Sequence, residues 1–413
     1  PAPVKAQIVV MAGQLVAGES GEDLLKQIKI NSKVGLATTI DLLGEAVVNE
    51  TEADAFLQRN LEILDSVSKY FAQEPAPSFS DIGPNGPLPR LNLSVKISAL
   101  TPEVHPADPE NSIAALKQRL RPILRRATAV GALINFDMES YKLKDLTLQL
   151  FKSIFEEPEF AQQPAIGIAL QAYLRDSETD LRDLIAWARK NNRPLSVRLV
   201  KGAYWDYETI TAQQRNWPIP VWQKKPESDA NYEKLTLLLL ENIDLITPNF
   251  ASHNVRSVAH AIAQAERLGI NPRAYEFQAL YGMADELKLS LLQMGHRVRE
   301  YCAIGELLPG MAYLVRRLLE NTSNEGFLRL KNRGEATQGQ LLDNPVNAIA
   351  AAAEPLARPP QAPGVFANAA NTDFSIAAHR EQQRAALENY TATKIGKKWP
   401  VIINGKKISR IPF

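Results

Sequence analysis

Cysteine is almost missing from this 413-residue chain: Cys302 stands alone, which excludes an intrachain disulfide. With one thiol and five histidines, a cysteine-rich metal site has too few ligands, and no zinc-ligand spacing occurs. Cys302 lies in an apolar, strand-like run and reads as an inert core thiol rather than a nucleophile. Charge of one sign is lacking too, since 47 Lys and Arg meet 46 Asp and Glu for a net +1. Without a basic run or an RNA-binding motif, a dedicated nucleic-acid binder is not expected. The longest apolar runs, IVVMAG near the start and LTLLLL at 235–240, fall far short of the ~20 residues of a membrane-spanning helix, and no secretory signal precedes them. The expected location is therefore the cytoplasm. The chain opens on Pro1 rather than Met, as expected of a trimmed or partial product.

With 45% hydrophobic and 23% charged residues, the chain has the composition of a globular protein large enough for one barrel-sized domain plus additions. Helical spacing of Leu24, Leu25 and Ile28 after Gly18 marks residues 1–31 as a helical packing arm. The β-branched, apolar run of residues 34–42 then predicts a buried strand, and Thr51 is placed to cap the helix that follows. GPNGP, in the loop beyond, reads as a turn because it lacks the strand-to-helix setting of a phosphate loop. From there strand-like runs alternate with amphipathic helices: LNLSVKI, ALINFDM, AIGIALQAYL, PLSVRLV, ITPNFAS, AYEFQAL and HRVREYC. Counting the strand before Glu45, about eight βα units predict an α/β fold of the (β/α)8 TIM-like barrel type. A doubly wound open sheet is the alternative, disfavoured because no G-x-G-x-x-G follows the first strand.

In a barrel of this type the chemistry lies at the carboxyl ends of the strands, so polar residues belong there and apolar ones in the strand middles. The predicted ends carry Glu45, Lys96, Asp137, Gln171, Arg198, His253, Gln278 and Tyr301. After the last strand, Pro309 and Gly310 open a helix whose one face holds Tyr313, Arg316, Arg317, Glu320 and Asn324 while leucines cover the other. This acid and base inventory leaves a small cationic surplus, suited to a small carboxylate gripped by paired arginines. In RLVKGAYWDYE, residues 198–208, Lys201, Gly202 and Ala203 let backbone approach a flat or phosphorylated ligand, and Tyr204 and Trp205 offer aromatic walls, unless those rings merely plug the barrel mouth. His253 alone is more readily a hydrogen-bonding residue than a base.

The segments INFDMES, RLVKGAYWD, FASHN, YEFQALYGM and above all YLVRRLLEN resemble the proline dehydrogenase domain, in the form fused to an aldehyde dehydrogenase in bacterial proline utilisation A proteins. The likeness covers roughly residues 34–330. It implies a distorted (β/α)8 barrel that binds FAD non-covalently, oxidises L-proline to Δ1-pyrroline-5-carboxylate by hydride transfer from C5 to flavin N5, and passes electrons to a membrane quinone. By the same resemblance, Arg316, Arg317 and Lys96 clamp the proline carboxylate, and Glu45 pairs with Arg316. Tyr204, Leu280 and Tyr301 wall the ring, Asp137 lies beside ring and flavin, and Arg198 reaches flavin N5. Gln171, the backbone from Val200 through Gly202, Ala203 and Tyr204 to Trp205, Ser252, His253, Asn254, Gln278, Leu280, Arg317 and Glu320 match further FAD contacts; no metal is implied. The chain departs from its relatives at Trp222 and Gln223, where a Thr usually follows an aromatic residue near the cofactor.

Three segments are thus expected: the arm at 1–31, the barrel at 32–330, and at 331–413 an Ala/Pro-rich linker leading to KKWPVIINGKKISR. This last run resembles the opening strand of an aldehyde dehydrogenase module, or else is an exposed hairpin turning at Asn404-Gly405. None of that second enzyme's catalytic elements occurs in this chain, so its dehydrogenase module is expected downstream, and quinone reduction would bring the protein to the inner face of a membrane. Two other functions fit the residues taken alone: a barrel lyase or aldolase forming a Schiff base on Lys96, and a non-catalytic flavin-binding scaffold.

Overall fold

In the computed structural model, residues 15–44, 46–74, 76–161, 165–306, 310–322, 342–351, 368–397 and 400–408 are described, with Gly13, Gly339 and Phe366 singly. Eight parallel strands close into a ring: β1 (Ala37–Leu42), β2 (Asn92–Val95), β3 (Leu133–Phe136), β4 (Ile166–Gln171), β5 (Leu195–Val200), β6 (Ile246–Ala251), β7 (Glu276–Leu280) and β8 (Arg297–Ile304). Each pairs with its sequence neighbour, and β1 closes the ring against both β2 and β8. The (β/α)8 barrel read from the alternation is the fold.

The helices that cover the strands are α1 (Gly21–Val34), α2 (Glu50–Gln73), α3 (Pro109–Val130), α4 (Tyr141–Phe155), α5 (Ser177–Lys190), α6 (Trp205–Arg215), α7 (Lys225–Leu240), α8 (Val255–Arg267) and α9 (Asp285–Gln293). After β8 comes α10 (Met311–Thr322). Local chemistry sets their ends. Ser20 and Asp23 form a capping box on α1, and Gly35 stops that helix in the left-handed region at φ 92°, so β1 begins at Ala37, later than the apolar run suggested. Asn49, not Thr51, caps α2, its Oδ1 accepting from the Glu52 N–H at 2.9 Å.

Side-chain alternation divides the molecule into two layers. Outward-facing Ile40, Leu93, Val95, Ile134, Phe136, Ile168, Val197, Phe250 and Phe277 meet the helices' apolar faces in one continuous core. The inside of the ring, in contrast, is polar along its length, which differs from the expectation of apolar strand middles. Thr39 donates to Asn92 Oδ1 at 3.2 Å, and Glu276 accepts from Arg297 at 2.6 Å and Arg299 at 2.8 Å, all fully buried. Each strand supplies what its neighbour lacks, so these polar groups tolerate burial as cross-strand partners. Sequence alternation reveals which residues share a face, but not that the enclosed face is the polar one.

Beyond the barrel, α11 (Pro345–Ala351) and the fully exposed half of α12 (Ala377–Lys394) lead to a two-stranded hairpin, Val401–Ile403 with Lys406–Ile408. Asn404 and Gly405 both have positive φ, 48° and 76°, the geometry of a tight hairpin turn.

Candidate active site

The carboxyl ends of β1, β2, β3, β5, β7 and β8 bring six polar side chains into one bonded set. Lys96, directly after β2, is buried, with its ammonium against Asp41 of β1 and 3.6 Å from Asp137. Asp137, directly after β3, accepts from Arg198 Nη1 at 2.6 Å and Asn135 at 3.2 Å on one oxygen, and from the Tyr301 hydroxyl at 2.6 Å on the other. Arg198 also donates to Gln278 Oε1 at 2.7 Å and Ser94 Oγ at 3.1 Å, and its guanidinium lies 5.0 Å from the Tyr301 ring centroid. A chain of alternating charge therefore runs from Asp41 through Lys96, Asp137 and Arg198 to Gln278, and on through Glu276 to Arg299.

Burial on its own would raise the Asp137 carboxyl, but Arg198, Lys96 and the Tyr301 hydrogen bond outweigh it and hold the acid below its ordinary range. Asp41 goes the other way: burial outweighs its single cation, Lys96, and Asp137 adds repulsion. The Tyr301 phenol is pushed well above its usual range by burial and then by Asp137 and Asp41, so it remains a donor.

Around this set the mouth is built from loops. Gln171, ending β4, donates to the carbonyls of Met138 at 3.4 Å and Glu139 at 3.1 Å, while its buried Oε1 has no hydrogen-bond partner. Between β5 and α6, Gly202 has φ +134°, and a Cβ there would come within 2.4 Å of the Tyr173 ring, so the backbone path Val200–Trp205 depends on glycine. Trp205 Nε1 donates to the Trp222 carbonyl at 2.8 Å, tying this loop to the segment where the chain departs from its relatives. After β6, His253 Nε2 accepts from the Leu280 N–H at 3.1 Å, tying the loop after β6 to the last residue of β7. Ser252 Oγ accepts from the Asn254 N–H, and Asn254 caps α8.

Helix α10 seats Tyr313 and Leu314 in an apolar cluster with Leu43, Met283 and Ala303, beside Leu280 and Tyr301, so it lies over the β1, β7 and β8 end of the mouth. Its arginines are half-buried: Arg316 is 4.8 Å from the Tyr204 ring centroid, reaching toward the β5 loop, and Arg317 is 5.4 Å from that of Tyr313. Glu45 and the side chain of Glu320 lie outside the described residues, and with them the expected Glu45–Arg316 pair. Three expected strand ends are placed differently, Gln278 among them, two residues inside β7. Arg198 sits two residues inside β5, and β8 runs three residues past Tyr301. Sequence reading missed Asp41, a single acid in the otherwise apolar and hydroxylic ATTIDL, and Ser94; only their inward register marks them.

The proline dehydrogenase family model matches residues 24–330. The chain belongs to the proline dehydrogenase family. It is 31% identical over 347 residues to the bifunctional protein PutA of Klebsiella aerogenes, covering 82% of this chain and 26% of that protein. To the proline dehydrogenase of Deinococcus radiodurans it is 28% identical, covering 77% of this chain and 88% of that protein. A crystal structure of proline utilization A (PutA) from Bdellovibrio bacteriovorus, inactivated by N-propargylglycine, superposes with a TM-score of 0.92 at 43% identity, over 98% of this chain and 42% of the other. The chain thus spans about a quarter of the Klebsiella PutA, less than half of the Bdellovibrio one and most of the shorter proline dehydrogenase. Among the described residues, no group of three or more His, Cys, Asp or Glu side chains is arranged to hold a metal.

Proposed function

We propose that this chain oxidises L-proline to Δ1-pyrroline-5-carboxylate with FAD as the oxidant. The observation that carries the reading is the convergence of Lys96, Asp137, Arg198 and Tyr301 at one barrel end beneath the arginine pair of α10, in a chain of this family. The donor set fits a flavin. Gln171 Oε1 is a buried acceptor in want of an N–H, such as a flavin ring carries, and Arg198 is a cation fixed by three acceptors. Gln171, Arg198, the Val200–Trp205 backbone, Ser252, His253, Asn254, Gln278 and Glu320 would hold FAD, which when bound supplies the acceptor for a hydride from proline C5.

Arg316, Arg317 and Lys96 grip the proline carboxylate, while Tyr204, Leu280 and Tyr301 confine the ring and exclude water. Asp137, kept ionised, fixes Arg198 and Tyr301 in place, so the charge that develops during oxidation meets a cation that need not reorganise. The proline amine must be neutral to push electrons into the forming imine, so turnover should rise with pH. A quinone at the inner face of a membrane takes the electrons onward; among the described residues no helix is long and apolar enough to cross a membrane. Residues 32–330 form the catalytic barrel in this reading, 1–31 an arm, and 331–413 a linker and the start of a dehydrogenase module for the product.

The Schiff-base alternative is disfavoured by geometry, because Lys96 Nζ is committed to two carboxylates rather than free to attack a carbonyl. An absorption spectrum tests the proposal. Purified protein should show flavin bands that bleach when L-proline is added without oxygen. A yellow protein that does not bleach would be the non-catalytic scaffold, and a colourless one that cannot be loaded with FAD would end the proposal.

A further inference from the structure

Asp41 has no role in the reading so far, yet its placement is specific. It is almost fully buried, on the inward register of β1, where Asp41 pairs with Ser94 of β2, two residues before Lys96. One carboxylate oxygen meets the Lys96 ammonium, and the other is buried with no hydrogen-bond partner. A buried carboxylate with one oxygen unbonded is costly, and among the described residues the only cation ion-paired with it is Lys96. From β3 the next acid, Asp137, stands 3.6 Å from the same ammonium but is already saturated by Arg198, Asn135 and the Tyr301 hydroxyl. Without Asp41, the acid ion-paired with the ammonium among the described residues is Asp137, and closing that gap would draw Lys96 toward the bonds that hold Arg198 and Tyr301.

The geometry points to Asp41 as a positioning residue for the carboxylate clamp: it holds Lys96 between β1 and β3, apart from Asp137, and so fixes the place from which the ammonium meets a bound carboxylate. This deepens the proline reading and rests on it. It assigns Asp41 no contact with substrate; its whole effect passes through Lys96.

The test is affinity for tetrahydrofuran-2-carboxylate, which keeps the ring and carboxylate of proline but has oxygen in place of the amine. Binding is measured on the full flavin-loaded chain for wild type, Asp41→Asn, Lys96→Met and the double variant, each checked by its thermal midpoint. Asp41→Asn, similar in size and still an acceptor, should weaken binding about tenfold or more, while in the Lys96→Met background it should change nothing further. If Asp41→Asn alone does not fold, Lys96→Met against the double variant, in which both charges are gone, carries the comparison. Wild-type affinity in Asp41→Asn, or a further loss in the double variant beyond Lys96→Met, overturns the assignment. If wild type binds neither proline nor this carboxylate, the proline reading falls first and Asp41's role with it.

Discussion

Replacing Arg198 with Met tests the centre of the site and gives a pH signature as well as a magnitude. The substitution keeps most of the side chain's bulk but removes the 2.6 Å ion pair to Asp137 and the donors to Ser94 and Gln278. Both charged side chains are at least nine-tenths buried or nearly so, and breaking such a pair by removing one partner costs about 3–5 kcal/mol; the two hydrogen bonds that the charged guanidinium donates to Ser94 and Gln278 are lost as well. A loss of at least about 4 kcal/mol at pH 7 is expected from urea unfolding. In wild type the Asp137 pKa is depressed, so its stabilisation is present above the unfolded value near 4 and is lost only as pH falls through the lower folded value. In the variant, burial prevails and the folded pKa rises above the unfolded one. The cost is then greatest at neutral pH and is relieved as pH falls toward about 4.5, at up to about 1.4 kcal/mol per pH unit. Unfolding of both proteins at pH 7 and 4.5 reads the difference directly. A loss under about 1 kcal/mol at pH 7, or the same loss at both pH values, would refute the claim that Arg198 is the foremost of the groups that keep Asp137 ionised.

Arg317→Met should weaken proline binding by about a hundredfold while part of the flavin is retained, measured as the apparent proline affinity alongside flavin absorbance; ordinary proline kinetics would remove Arg317 from the clamp. Gly202→Ala meets the buried Tyr173 ring at 2.4 Å in a backbone conformation unfavourable to any side chain, and should cost about 2–5 kcal/mol in unfolding and reduce FAD retention. Tyr301→Phe removes a donor to an ionised acid and should cost about 1.5–3 kcal/mol by chemical unfolding. Because burial and then Asp137 and Asp41 raise that phenol, an ultraviolet pH titration of wild type against Tyr301→Phe should show no extra phenolate in wild type over the range where ordinary tyrosines titrate.

The strand runs and the helices between them were legible along the chain because burial under a helical layer demands apolar, β-branched outward positions every second residue, and eight such runs in alternation have few closed solutions. Lys96, Asp137, Gln171 and Gln278 were legible as candidates because each falls at or close to a strand's carboxyl end. His253 accepts a backbone hydrogen bond from Leu280, a contact that a single imidazole without neighbours of its kind allows but that its linear position does not specify.

Other features came only from three dimensions. Linear order cannot say that Asp41 and Lys96, 55 residues apart, share one ion pair, or that the Tyr301 hydroxyl bonds Asp137 across 164 residues. Those pairings follow from the register of the closed ring, in which β1 lies between β2 and β8 and inward positions converge on a common axis. The polar interior also comes from register: Glu276, Arg297 and Arg299 look like misplaced charges along a strand, and the pairing of β7 with β8 makes Glu276 the counter-ion of both arginines. Sequence alone thus determined the elements, their alternation and most of the candidate site residues, because these depend on local periodicity and residue type. Tertiary structure decided which charges meet, because an ion pair depends on distance across the ring and no local pattern encodes that distance.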